Sequence, residues 1–449
     1  MKLSRRRVLG GIGAGAAAGL LGMPASAAED GIATDTERVF IHPKTGLLDE
    51  LGELLDVIEA VDGTTVLEFD NFEFVVAEVP STGLDQLRQD RRVATVEEDD
   101  ETGIPSDWSP SLPNLFDPPG GSDCATHPDQ RASWGVERIG ADAVEPDGSG
   151  VDVGILDTGI QSDHCSLSVA GGRNFTADGT AGDYEDRHGH GTHVAGVAGA
   201  DDNDRGVVGV APAANLYAVK VLGDDGSGRY SELIAGIDWC MSNDIEIISM
   251  SLGGDAESAT LARAIDAAHS DGHLLLCAAG NDGNDGSDSC AAETMTYPAT
   301  HENVVAVTAM DENDRLASYS SVGSAVDLLA PGTAITSSTV DNEYAEASGT
   351  SVATPFVTGV AALVWETREE DGPGPTDPVR KILGETAETV LGTCAEGDGL
   401  VNARAALGDE RATEGREWSD GPVGGFRSIV QWFVDLIAGV FEWLFGLFE

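Results

Sequence analysis

Three short segments set an acid, a base and a hydroxyl among small residues. Val153-Gly154-Ile155-Leu156-Asp157-Thr158-Gly159 is an apolar run that ends in a carboxylate. His188-Gly189-His190-Gly191-Thr192-His193-Val194-Ala195-Gly196 supplies imidazoles between glycines. Gly349-Thr350-Ser351-Val352-Ala353-Thr354-Pro355 opens an apolar stretch that runs through Val364. A serine hydroxyl attacks a peptide carbonyl when a base takes its proton, and a histidine base needs an acceptor that fixes its tautomer. Taken singly, an Asp after a strand is ordinarily a cap, a glycine-flanked His ordinarily core, and a helix-opening Ser ordinarily an N-cap. Together, in the order Asp, His, Ser, they point to one acyl-transfer centre of Asp157, His190 and Ser351.

The segments resemble the Asp, His and Ser boxes of the subtilisin-like serine proteases. That resemblance implies that Asp157 orients, His190 acts as general base and Ser351 is the nucleophile. His193 matches the second histidine of its box, which is not catalytic. Ala278-Ala279-Gly280-Asn281 resembles the box whose asparagine binds the oxyanion, which implies that role for Asn281. Ser251-Leu252-Gly253 resembles the extended segment that takes substrate as an added strand. Ser227-Gly228-Arg229-Tyr230 resembles the opposite rim, and Asp282 lies where it would tolerate a basic side chain. The implied substrates are extended polypeptides with an apolar residue beside the cut.

The family's calcium loop corresponds to Asp201-Asp202-Asn203-Asp204, with Gln130 as a further ligand, so Gln130, Asp202 and Asn203 are the expected calcium ligands. The position matching that site's aspartate is Ser166. The loop therefore also reads as a solvated acidic turn. Cys124 lies just upstream of Gln130, and Cys165 immediately precedes Ser166. A disulfide between them would tether the segment that calcium otherwise clamps.

Short apolar runs at 151–156, 219–222, 245–251, 274–278 and 304–308 alternate with Gly/Ala-rich helical stretches. That pattern predicts a parallel sheet covered on both faces, a three-layer α/β/α domain over 131–408. Asp157 then falls at the C-terminal end of a strand, where such sheets place their sites. Ahead of it, residues 28–101 read as a small α+β unit. Its elements are a strand at 38–42, a helix at 47–61, a hairpin at 65–79, a helix at 84–89 and a strand at 93–96. The unit resembles the family's ferredoxin-like propeptide, an inhibitor and folding chaperone, and an acidic run at 97–101 closes it. Residues 102–130 and 409–425 read as linkers, the first holding the maturation site between Asp99 and Gln130.

The 449 residues include 25 basic and 78 acidic side chains, a net charge of −53. This excludes nucleic acid as a partner, because phosphate binding needs basic surface. Lysine occurs only at Lys2, Lys44, Lys220 and Lys381. An acid-rich, lysine-poor chain suits high salt, where screening is nearly complete; in this the chain resembles the halolysins of haloarchaea. Residues 1–27 read as an export signal. Ser4-Arg5-Arg6-Arg7-Val8-Leu9 is a twin-arginine pattern, with a cleavage site at Ala25-Ser26-Ala27. Six cysteines in an exported chain favour disulfides over metal ligation. The segment 426–449 reads as a helix long enough to cross a bilayer at about 1.5 Å per residue. Its stripe of Arg427, Gln431, Asp435, Glu442 and Glu449 suits the membrane surface better than a span. The expected molecule is an extracellular monomer, with its propeptide and polypeptide substrates as partners.

Overall fold

The computed structural model describes residues 35–44, 52–105, 110–111, 130–284, 293–368 and 377–408. Successive side chains along its central strands enter opposite apolar clusters, and this fixes the layers. Val153 and Ile155 enter one apolar cluster, and the next residue, Leu156, enters another. Leu274 and Leu276 likewise part from Leu275 and Cys277. A strand buried on both faces needs a covering layer on each.

The N-terminal unit runs β1 (Thr36–Pro43), α1 (Gly52–Glu59), β2 (Thr64–Glu68), β3 (Val75–Pro80), α2 (Ser81–Gln89) and β4 (Val93–Glu98). Its antiparallel sheet has the order β2-β3-β1-β4. Val39, Ile41, Val75 and Ala77 face the two helices through Leu54, Ile58, Leu84 and Leu87. Phe40 and Val76, on the other face, join Phe74 in a cluster shared with the larger domain. The helix expected at 47–61 is seen over Gly52–Glu59, and residues 45–51 lie outside the described set.

A short strand, β5 (Glu101–Gly103), leads into the larger domain. There β6 (Asp152–Asp157), β7 (Val169–Asn174), α3 (His190–Gly199), β8 (Asn215–Lys220), β9 (Ser227–Arg229) and α4 (Tyr230–Ser242) follow. Next come β10 (Ile247–Met250), α5 (Ala259–Asp271), β11 (Leu274–Ala278), β12 (Val305–Met310) and β13 (Leu328–Pro331). The hairpin β14 (Ile335–Thr339) and β15 (Glu343–Ala347) then precedes α6 (Thr350–Glu366). Seven strands form one parallel sheet in the order β13-β12-β11-β10-β6-β8-β7. Helices α3 and α6 supply one layer and α4 and α5 the other. The chain builds outward from β6 in one direction through β8 and in the other through β10. That makes the C-terminal end of β6 a topological switch point, where open sheets form their crevice.

Among the described residues no helix is long and apolar enough to cross a membrane. The helix expected at 426–449 lies outside them.

Candidate active site

Asp157 ends β6 at that switch point and is fully buried. Its two carboxylate oxygens lie 2.7 and 2.9 Å from His190 Nδ1. A carboxylate there fixes Nδ1 as the protonated nitrogen and leaves Nε2 as the basic one. Thr158 N–H donates to Asp157 Oδ1 at 2.7 Å.

His190 opens α3, and a second carboxylate holds that helix start in place. Asp186 accepts from the N–H groups of His188, Gly189 and Thr192 and from the hydroxyls of Thr158 and Thr192, all at 2.7–2.9 Å. Helix N-termini attract anions and need acceptors for their free N–H groups. Through Thr158, Asp186 ties the helix to the residue that follows Asp157. Lys220, the β8 partner of Asp157, is fully buried and donates to Thr158 O at 2.7 Å. The sequence reading selected none of Asp186, Thr158 and Lys220. An aspartate three residues before the capping glycine was a usable signal for the first.

His193 faces the other way. Its Nε2 lies 3.1 Å from Ile335 O and 3.2 Å from Ala345 O, so it donates to the β14–β15 hairpin. Burial, followed by the charge of His190, pulls its pKa down to about 4, which keeps it neutral.

Ser351 is the second residue of α6, which packs against α3. A Cβ placed on Gly349 would lie 2.9 Å from Ser351 Oγ and 3.4 Å from Asn281 Nδ2. Both groups therefore border one small space that the glycine leaves open. Asn281 Oδ1 accepts from the N–H and the hydroxyl of Thr350, each at 3.0 Å. With its carbonyl end engaged, the amide presents Nδ2 to Ser351. Pro355 stands four residues after Ser351 and has no N–H to close the helical bond. Ser351 O instead accepts the Ser251 hydroxyl at 2.8 Å.

The two segments expected to flank a substrate do flank an extended chain. β5 pairs antiparallel with β9, Ser227 opposite Gly103 and Gly228 opposite Thr102. Gly103 also exchanges hydrogen bonds with Gly253 at 3.0 and 2.9 Å, and Ile104 N–H donates to Gly226 O at 3.1 Å. The segment from Glu101 to Ile104 is thus a strand gripped on both edges. This corrects the expectation of a linker from residue 102: its glycine and proline suggested a loop, whereas Gly103 forms the pairing. Tyr230 is buried and donates to Ala256 O at 2.6 Å. Leu252 is buried, the Ser251 side chain serves Ser351, and Asp282 is exposed with its N–H on Ser321 Oγ.

Residues 148–412 match the Subtilase family. This chain belongs to that family. Subtilisin DY of Bacillus licheniformis is 42% identical over 283 residues, 62% of this chain and 99% of its own length. Subtilisin NAT of Bacillus subtilis subsp. natto is 39% identical over 360 residues, 78% of this chain and 85% of its own length. Subtilisin E of Bacillus subtilis (strain 168) is 38% identical over the same span. The subtilase is a serine endopeptidase with a three-layer α/β/α domain.

The subtilase does not present the expected calcium ligands as a cation site. Gln130 turns its Nε2 donor toward Asp201 O and Val207 O, Asn203 is bonded to Cys165 O and Arg205 N, and Asp202 is exposed. No cluster of His, Cys, Asp or Glu that could hold a metal occurs among the described residues. Cys240 and Cys277 are free and buried, and burial pushes both thiols up. Cys165 and Cys394 each belong to a disulfide.

Proposed function

We propose that this subtilase is an exported, halophilic, monomeric endopeptidase that cuts extended polypeptides and matures from a precursor. Ser351 attacks the peptide carbonyl while His190 takes its proton and Asp157 holds the imidazolium. The oxyanion rests on Asn281 Nδ2 and the Ser351 N–H at the start of α6. His190 then protonates the leaving amine, and water releases the acyl group from Ser351 by the same route. The observation that carries this reading is the two-oxygen grip of Asp157 on His190 Nδ1. Hydrolysis of casein by wild type, abolished in Ser351→Ala, tests it. Covalent labelling of Ser351 by an organophosphonate without casein hydrolysis would mean a narrowly specific processing enzyme. Neither labelling nor hydrolysis would mean an inactive, peptide-binding relative.

Residues 28–101 act on this reading as propeptide, with the following strand in the cleft as substrate would lie. We infer the bond that is cut from the register. Gly103 faces Gly253, so two residues further along the antiparallel pair Pro105 faces Ser251, the residue bonded to Ser351 O. Pro105 is buried, and cleavage follows it. The N-terminal mass of the mature enzyme tests this: a start at residue 106 is expected. A start elsewhere refutes the register, whereas unprocessed wild type or processed Ser351→Ala refutes autoprocessing.

Export uses the twin-arginine signal, segment 426–449 holds the enzyme at the membrane surface, and Cys165 pairs with Cys124. Unreduced peptide mapping tests the pairing. Partition of a chain lacking 426–449 between membrane and medium tests the attachment.

A further inference from the structure

The loop 201–207 bends back on the segment that carries Ser166, and its inward carbonyl oxygens already have proton donors. Gln130 Nε2 donates to Asp201 O at 2.6 Å and to Val207 O at 3.2 Å. The Ser166 hydroxyl donates to Arg205 O at 3.4 Å and lies 2.7 Å from the Tyr344 hydroxyl. Ser166 and Tyr344 are both buried. The chain of bonds runs from Tyr344 Oη–H to Ser166 Oγ–H to Arg205 O. Asn203 closes the remaining edge, giving its Nδ2 to Cys165 O at 2.9 Å and taking Arg205 N–H at 3.1 Å. The loop's carboxylates turn away: Asp202 and Asp204 are exposed, and Asp201 accepts from Ser168 Oγ at 2.8 Å.

Gly206 shows how tightly the aromatic side chain is seated. It has φ +59°, and a Cβ there would stand 1.9 Å from Tyr344 Oη. No side chain fits between ring and loop. A calcium ion would need about six to eight oxygens at about 2.3–2.6 Å, with their lone pairs turned inward. Here amide and hydroxyl protons face those oxygens, so a cation would break the bonds that close the loop.

We propose that a side-chain lock of Tyr344, Ser166 and Gln130 takes the structural place of a cation, so that closing the loop needs no calcium. The lock also reaches the active site. Tyr344 lies on β15 opposite Ser338 of β14. Ser337 and Ser338 donate to His193 O and Thr192 O of α3, the helix that His190 opens, at 2.9 and 3.0 Å.

The test is the melting temperature of the full-length chain carrying Ser351→Ala, which prevents self-digestion. It is measured at one high sodium chloride concentration, in chelator and in calcium chloride. Tyr344→Phe is expected to lower Tm by about 2–6 °C equally in both. Ser166→Asp is expected to lower it in chelator only, because a buried carboxylate facing carbonyls recreates a demand for a cation. A calcium-dependent rise in the parent that Asn203→Ala erases would overturn the proposal, as would an unchanged Tm for Tyr344→Phe in chelator. A calcium effect that survives Asn203→Ala places the ion elsewhere and supports the lock.

Discussion

A carbonyl freed by a proline helps to hold Ser351. Because Pro355 cannot donate, Ser351 O takes the Ser251 hydroxyl, and the nucleophile's backbone is anchored to the strand edge that grips the cleft chain. Thr350 fixes Asn281 in the same economical way, by occupying its acceptor end. On the proposed assignment, Asn281→Ala lowers kcat at least about tenfold with KM little changed, since the bond to the oxyanion forms only in the transition state. Thr350→Val keeps its N–H bond to Asn281 and should cost about three- to tenfold in kcat. Equal losses in kcat and in affinity for a peptide aldehyde would check that both act on the same oxyanion; a rise in KM alone would count against it. Asp157, His190, Ser351 and Asn281 were legible because glycine and small residues crowd around them in a fixed order. Lys220 was not, because its worth lies in a contact made across the fold to Thr158.

At the scale of elements, the acidic run at 97–101 finds a use that charge counting could not show. Glu97 accepts from Thr260 N–H, in the first turn of α5, and Asp99 from Ser231 N–H, in the first turn of α4. Two carboxylates of the N-terminal unit thus cap two helices of the larger domain, an arrangement that helix dipoles favour. Periodicity placed the strands of that unit but not this docking, which needs both partners in space. His42 lies in the same contact, giving Nε2–H to Thr260 Oγ1 and taking Arg263 Nη1–H on Nδ1. Burial, then the Arg263 charge, pulls its pKa down to about 4, while Glu97 pulls the other way. A depressed histidine pKa means that the free unit binds a proton the docked one refuses. Docking is then at full strength above about pH 6.5 and weakens as pH falls toward 4. Titrating the separated unit onto Ser351→Ala enzyme expressed without it should show at least about tenfold weaker binding at pH 4.5 than at 7.5. His42→Gln should flatten that slope; a slope that persists would assign the effect to the carboxylates instead.

Over the whole molecule, the layering was readable because buried parallel strands are short and apolar, and each of the five apolar runs marked within 131–408 overlaps a strand of the central sheet. Strand ends were less so: Val221 and Leu222 are buried beyond the end of β8, where apolar character continues but sheet pairing does not. Apolar packing leaves the net charge of −53 to be met from outside. Several of the few cations are already committed: Arg138 spans Asp314 and Glu388, Arg380 holds Asp327 and Arg38 holds Asp99. The uncompensated carboxylates repel one another over a Debye length of about 10 Å at 0.1 M salt and about 3 Å at 1 M. Stability should therefore climb steeply with salt up to about 1 M and flatten above it, if screening is the cause. Sodium chloride and potassium chloride should act alike at equal ionic strength, because screening depends on charge and concentration and not on ion identity. Melting temperatures of the Ser351→Ala chain across both salts decide it. Superimposed curves that level off near 1 M mean screened self-repulsion. A continued rise toward saturation, or a gap between the two cations, means that the acidic surface binds hydrated ions as part of its structure.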